Sequence, residues 1–278
     1  MFELWTHGSF WFLMIPDIAA SAWATGRDRI VEHGLRDLLD QLGIRFEAEE
    51  IQLENPFPAE ISAAFEVGRK LSVRVRDCRD QGRFPIVLSG NCNAAVGTVS
   101  GCGPAKTGVI WFDAHGEANT PETTRSGFLD GMPISTLLGH AWQTLAKTIP
   151  GFAPLRGDRI ILFGARHFDW AEPALLEQTG VRRVQTVGEM TNQLQALVTP
   201  VDQVYLHVDL DVLDPTEATS NQWTPPDGIN LQTLLEAIAE VRKRANLASL
   251  GIASYDPGVD QDGRVLSAAL DVVKASLA

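Results

Sequence analysis

Val109-Ile110-Trp111-Phe112-Asp113-Ala114-His115-Gly116-Glu117 passes without a break from an apolar run into three potential metal ligands at alternating positions. A second stretch, Val204-Tyr205-Leu206-His207-Val208-Asp209-Leu210-Asp211, ends in the same way. Side chains of an extended chain alternate faces, so Asp113, His115 and Glu117 are expected to point one way, as are Asp209 and Asp211. Short apolar runs of this kind are the pattern of strands covered on both faces. Like charges packed beside such strands are expelled or neutralised unless a cation lies between them. Four carboxylates with one imidazole suit hard to borderline divalent ions such as Mn²⁺, and bridging carboxylates are how two-ion sites are built. For either stretch alone, solvated acids at a strand end are an adequate reading. Two matching stretches favour a metal centre.

Further strands are expected at Trp11 to Ile15, Pro85 to Ser89, Arg159 to Phe163, Val181 to Val184 and Ser249 to Ser254, beside Gly108 to Phe112 and Gln203 to Val208. Apolar spacing of three and four marks helices over Arg27 to Leu42, Ala59 to Gln81, Ile134 to Thr148, Ala171 to Gln178, Gly188 to Leu197, Leu231 to Arg244 and Gly263 to Leu277. The alternation predicts one α/β domain over residues 1–278, a doubly wound, mostly parallel sheet with helices on both faces. Ligands of such folds bind beyond the carboxyl ends of the strands, where the two carboxylate blocks fall.

With 278 residues and 45% hydrophobic content, the chain can bury a large core, and no linker or repeat divides it. A net charge of −12 argues against nucleic acid or an anionic membrane as partner and favours attraction of a cationic substrate. Cys78, Cys92 and Cys102 form no disulfide framework, which suggests a reducing compartment. The apolar stretch Phe10 to Ile15 lacks the preceding basic residues of a secretory signal and is too short to span a bilayer, so a soluble cytoplasmic protein is expected.

These blocks resemble the binuclear manganese ureohydrolases, the family of arginase, agmatinase and formimidoylglutamase, across nearly the full chain. The family's first metal block, Gly-Gly-Asp-His-Ser, is matched by Ser89-Gly90-Asn91-Cys92-Asn93. The second, Asp-Ala-His-x-Asp, is matched by Asp113 to Glu117, and the third, Asp-x-Asp-x-x-Asp-Pro, by Asp209 to Pro215 in full. The resemblance implies an arginase-like fold and two divalent ions, most simply Mn. It implies that Asp113 and Asp209 bridge the ions, that Cys92 and Glu117 complete one shell, and that His115 and Asp211 complete the other. No organic cofactor is implied. Cys92 stands where the family has histidine, and Glu117 where it has aspartate. A thiolate can replace an imidazole as ligand, because the metal lowers the thiol's pKa, although a small buried residue without metal contact is the alternative.

The resemblance also implies a substrate. Asn119, Ser126, Asp169 and Glu172 match the residues with which arginase-like members hold an α-carboxylate and α-amino group, so a small guanidino-type amino acid is expected. Asn119 and Ser126 read equally as turn residues, and Asp169 with Glu172 as a helix capping box. Ser254 stands where the family has the glutamate that grips the guanidinium, and Asp130 where arginase has its proton-shuttling histidine. Asp130 is a candidate acid or base, or a solvated turn residue before Gly131. Cys92, the run Asn119 to Thr124 and Gly131-Met132 look like a subgroup resembling the hydroxyarginine hydrolase of D-cycloserine biosynthesis. The implied reaction is C–N cleavage by a hydroxide shared between the ions, with homo-oligomeric assembly part of the expectation. Amide hydrolysis of the deacetylase kind and ligand binding without turnover are the alternatives. His207 is expected behind the ligands, His167 at the pocket mouth, and Trp111, Trp170 and Trp223 as core or wall aromatics.

Overall fold

The computed structural model describes residues 9–14, 26–54 and 59–277. Its strands are β1 (Ser9–Met14), β2 (Arg45–Glu50), β3 (Phe84–Leu88), β4 (Thr107–Phe112), β5 (Ile160–Phe163), β6 (Arg182–Val184), β7 (Gln203–Asp209) and β8 (Leu247–Ala253). They form one sheet in the order β2-β1-β3-β8-β7-β4-β5-β6. Every pairing between these strands is parallel, so the expected mostly parallel sheet is wholly parallel among the described strands.

The helices are α1 (Gly26–Ile30) and α2 (Arg36–Gln41) with a π-turn between them, α3 (Glu60–Asp80), α4 (Ala94–Cys102), α5 (Pro133–Leu137), α6 (Gln143–Ala146), α7 (Glu172–Thr179), α8 (Val187–Val198), α9 (Leu231–Arg244) and α10 (Arg264–Leu277). Alternation along β4 divides the core. Ile110 and Phe112 pack with apolar residues of α1, α2, α8, α9 and α10, while Val109 and Trp111 pack with those of α3 to α7. Helices therefore cover both faces, and each fully buried Ile, Leu or Phe contributes about 1.5–3 kcal/mol of hydrophobic stabilisation.

Two local features differ from the sequence expectation, and the first strand agrees with it. β2, Arg-Phe-Glu-Ala-Glu-Glu, carries no apolar run to mark it, because an edge strand with side chains open to water needs none. The helix expected over Ile134 to Thr148 breaks into α5 and α6, because Gly139 takes a positive φ of 78° and Trp142 one of 48°. Phe10 to Met14 lies within β1, paired to β2 and β3, and Ile15 lies outside the described residues. Among the described residues, no helix is long and apolar enough to cross a membrane.

Candidate metal centre and substrate cavity

β3, β8, β7 and β4 are neighbours in that order, and each carboxyl end leads into one block of the site. Cys92 follows β3, Asp113 to Glu117 follow β4, Asp209 ends β7 with Asp211 two residues on, and Ser254 follows β8. Ligating atoms of Asp113, His115 and Asp211 lie within 4.8 Å of one another, as do those of Cys92, Glu117 and Asp130, and those of Cys92, Asp113 and His207. Asp209 joins the groups. Cys92 Sγ lies 3.0 Å from Asp209 Oδ2, which also accepts from Ser254 Oγ at 2.5 Å, while Asp209 Oδ1 accepts from the Asp211 amide at 2.9 Å.

Local structure aims these side chains. Asp113 Oδ2 accepts from Trp111 Nε1 at 2.7 Å and Asp113 Oδ1 from the His115 amide at 2.7 Å. Asp211 Oδ1 accepts from the Ala114 amide at 3.1 Å, and Asp211 Oδ2 lies 3.0 Å from His115 Nδ1. Gly116 is required between the ligands, because a Cβ there would fall 2.8 Å from Phe168 and 2.9 Å from the Glu172 carboxylate. Glu117 (φ 53°) and Ser254 (φ 64°) both occupy left-handed backbone, which costs a non-glycine residue of order 1–3 kcal/mol. Arg166 ties the loops together by donating to the carbonyls of Asp211, Val212, Pro225 and Pro226.

The electrostatics call for a cation. Asp113, Glu117, Asp130, Asp209 and Asp211 are all buried together, and Glu117 Oε2 has no hydrogen-bond partner. Burial, reinforced by neighbouring carboxylates, raises the pKa of Asp113, Glu117 and Asp130, and it pushes Asp209 up to about 7. Burial and the same carboxylates push the Cys92 thiol well up. These residues fit divalent metal. A cation among them would satisfy the orphan oxygen and reverse the repulsion, whereas no arginine or lysine donates to these carboxylates among the described residues.

A pH dependence follows for the metal-free protein. Burial lowers the His115 pKa, but Asp211 and Asp113 outweigh it and hold the ring at about 11. Asp209 and His115 thus both bind protons more tightly folded than unfolded. The Asp209 contribution to stability is full below its ordinary 3.8 and lost as pH rises through about 7. The His115 contribution is full below 6.5 and lost as pH climbs towards about 11. Chelated protein is therefore expected to melt at progressively lower temperature from about pH 5 to 8, with Mn²⁺ restoring most at the alkaline end. A chelated Tm that climbs over that range would refute this.

Behind the ligands, His207 Nδ1 lies 2.8 Å from Tyr205 Oη and His207 Nε2 3.2 Å from Cys92 Sγ, with its ring stacked on Trp111 at 3.8 Å. Burial lowers the His207 pKa to about 3, so the ring is neutral. His207 thus lies deeper along β7 than Asp209, and its contact with Cys92 was not legible from sequence. Gly251 makes room for this arrangement, since a Cβ there would meet Tyr205 Oη at 2.1 Å.

In front of the ligands opens a cavity of about 690 Å³. His115, Glu117, Asp130, Asp209, Asp211 and Ser254 line its floor, and Asn119, Ser126, Asp169, Glu172 and His167 its wall. Asn119 Nδ2 donates to Asp169 Oδ2 at 2.8 Å. Glu172 accepts from the Ala118 amide at 2.8 Å and the Asp169 amide at 2.6 Å. The expected capping box differs in detail, because α7 is capped by Ala171 and the Asp169 side chain turns to Asn119. Ser126 is exposed at the rim and accepts from the Phe128 amide. Cys92 and Asp113 lie beneath the floor. Gln222, unmarked in the sequence reading, also lines the cavity, as does Trp223, 58% exposed. Trp170, 66% exposed, is no core aromatic; its indole donates to the Thr123 carbonyl.

Comparison with known proteins places these features in context. The model of the Arginase family matches residues 25–278. The arginase of Bacillus caldovelox is 29% identical over 221 residues, covering 76% of this chain and 74% of that protein. That of Bacillus subtilis is 30% identical over 219 residues, covering 75% and 73%. A crystal structure of Bacillus subtilis arginase superposes with a TM-score of 0.87 at 25% identity, covering 97% of this chain and 98% of that one.

Proposed function

The chain belongs to the arginase family, and from that premise we propose that it is a binuclear metal-dependent amidinohydrolase acting on a guanidino or hydroxyguanidino amino acid. The observation that carries the reading is the convergence of Cys92, Asp113, His115, Glu117, Asp209 and Asp211 beneath a cavity walled by Asn119, Ser126, Asp169 and Glu172. Two divalent ions, most simply Mn, would be held by these six side chains. When bound, the ions supply Lewis acidity that makes hydroxide available near neutral pH.

The chain's own groups bind and orient. Asn119 and Ser126 offer neutral donors to a carboxylate at the cavity mouth. Asp169 and Glu172, fixed by Asn119 and by backbone amides, offer negative charge to an ammonium group. That separation turns the guanidine-like end of an α-amino acid towards the floor, and holding it there converts attack into an effectively unimolecular step. Cleavage of the C–N bond yields an amine and a urea-type product. The neutral Ser254 at the floor favours a hydroxyguanidine, largely uncharged near neutral pH, as in the hydroxyarginine hydrolase subgroup that Cys92 suggests.

Metal analysis of protein purified without chelator, followed by a screen of arginine, hydroxyarginine and agmatine for urea or hydroxyurea release, tests the proposal. About two ions per chain and turnover of an amino acid substrate are expected. A metal-free protein without turnover after Mn²⁺ loading would overturn it. Cys92→Ser should lower both metal occupancy and rate, since Cys92 Sγ sits 3.0 Å from Asp209 Oδ2 and 3.8 Å from Asp113 Oδ2. Unchanged metal content and rate in that variant would reduce the cysteine to packing.

A further inference from the structure

Asp130 stands in the short turn Leu129–Gly131, on the loop that follows Asp113 to Glu117. Its carboxylate is not solvated there. Asp130 Oδ1 accepts from the amides of Cys92 at 2.6 Å and Asn93 at 3.2 Å, and from Asn93 Nδ2 at 3.4 Å. These bonds draw the loop onto the turn after β3 and fix the carboxylate's orientation. A ligating atom of Asp130 then lies within 4.8 Å of ligating atoms of both Cys92 and Glu117, all three residues being buried. Beside it, Glu117 Oε2 is buried without any hydrogen-bond partner, as a carboxylate that takes a cation would be and a satisfied carboxyl pair would not.

We propose that Asp130 is itself a metal ligand, completing with Cys92 and Glu117 the coordination of one ion, while Asp113, His115 and Asp211 define the other. The inference rests on the proposed metal centre and deepens it. Three negative donors, one of them sulfur, surround the first position, whereas oxygen and imidazole surround the second. Thiolate favours borderline to soft ions and carboxylate harder ones, so the two positions are chemically unequal. Coordination would also take Asp130 out of the acid or base role that its place in the loop suggests.

Cobalt titration of the chelated full-length protein provides the test, because a thiolate–Co²⁺ pair absorbs in the near ultraviolet and marks the Cys92 position. Wild type is expected to bind two Co²⁺ and to show that band. Asp130→Asn keeps a carbonyl oxygen for the Cys92 and Asn93 amides. It should weaken the band-bearing position about ten- to a hundredfold, leave the second position in place, and leave the metal-free Tm unchanged or higher. Wild-type affinity and band in Asp130→Asn would overturn the inference while leaving the metal centre intact. Cobalt bound to wild type without the band would overturn it too, since Cys92 would then not touch the ion. No cobalt bound to wild type would overturn the metal centre itself and this inference with it. Should Asp130→Asn not fold, a Co²⁺-soaked crystal of wild type decides. An ion about 2.0–2.3 Å from an Asp130 oxygen supports the assignment, and one beyond about 3 Å ends it.

Discussion

Asp209→Asn is expected to lose firm binding of both ions and at least about a thousandfold in kcat. Asp209 joins the metal groups, with Oδ2 facing Cys92 and Ser254 and Oδ1 fixed by the Asp211 amide. An amide in its place keeps the volume but removes the charge and turns an N–H₂ group towards one partner. Two Lewis acids would lower the pKa of water towards neutrality, so weakening their hold forfeits most of the hydroxide available at neutral pH. Because the change also removes a buried charge, the metal-free variant should fold with equal or higher Tm. Metal content, kcat and chelated Tm measured on one preparation separate loss of the ions from loss of the fold. Two ions per chain with a near wild-type rate would refute Asp209 as a residue that holds the metal.

The second large effect concerns Ser254. Hydroxyarginine is expected to be hydrolysed with a higher kcat/KM than arginine, and Ser254→Glu to narrow that gap. Ser254 lines the cavity floor, is buried, and donates its hydroxyl to Asp209. It therefore offers no charge to a guanidinium and bonds Asp209 instead. A charged contact contributes roughly 1.5–3 kcal/mol, about ten- to a hundredfold in relative rate, which a glutamate would restore to arginine. Ser254→Glu also removes the bond to Asp209, so both substrates should slow, and the ratio of their kcat/KM values is the meaningful quantity. Arginine preferred by wild type, or agmatine preferred over both, would move the function to another specificity within the family.

His207 illustrates why local pattern was insufficient at the site. Its alternation with Asp209 on β7 placed it behind the ligands, but no spacing relates it to Cys92, 115 residues away along the chain. Asp130 is similar. A single carboxylate before Gly131 reads as a turn residue, and only the folding of its loop onto the Cys92 turn makes it a buried group.

By itself the sequence determined the alternation of strands and helices and the presence of carboxylates at the carboxyl ends of β4 and β7, because these depend on local period and on the cost of burying charge. Seven of the eight described strands were legible for that reason, and β2 was not, since an edge strand is held by its neighbour β1 rather than by its own apolar pattern. The extended alternation expected through both carboxylate blocks does not hold, since β4 ends at Phe112, Glu117 takes left-handed backbone and Asp211 lies in the tight turn Leu210–Val212. The tertiary structure alone decided the strand order that sets β3, β8, β7 and β4 side by side. It alone turned the Asp169 side chain to Asn119 rather than to the start of α7, and gave Ser254 to Asp209. These are contacts between segments far apart in the chain. They are selected by which buried donors and acceptors can satisfy one another once the sheet has closed over its helices, and no local propensity encodes that choice.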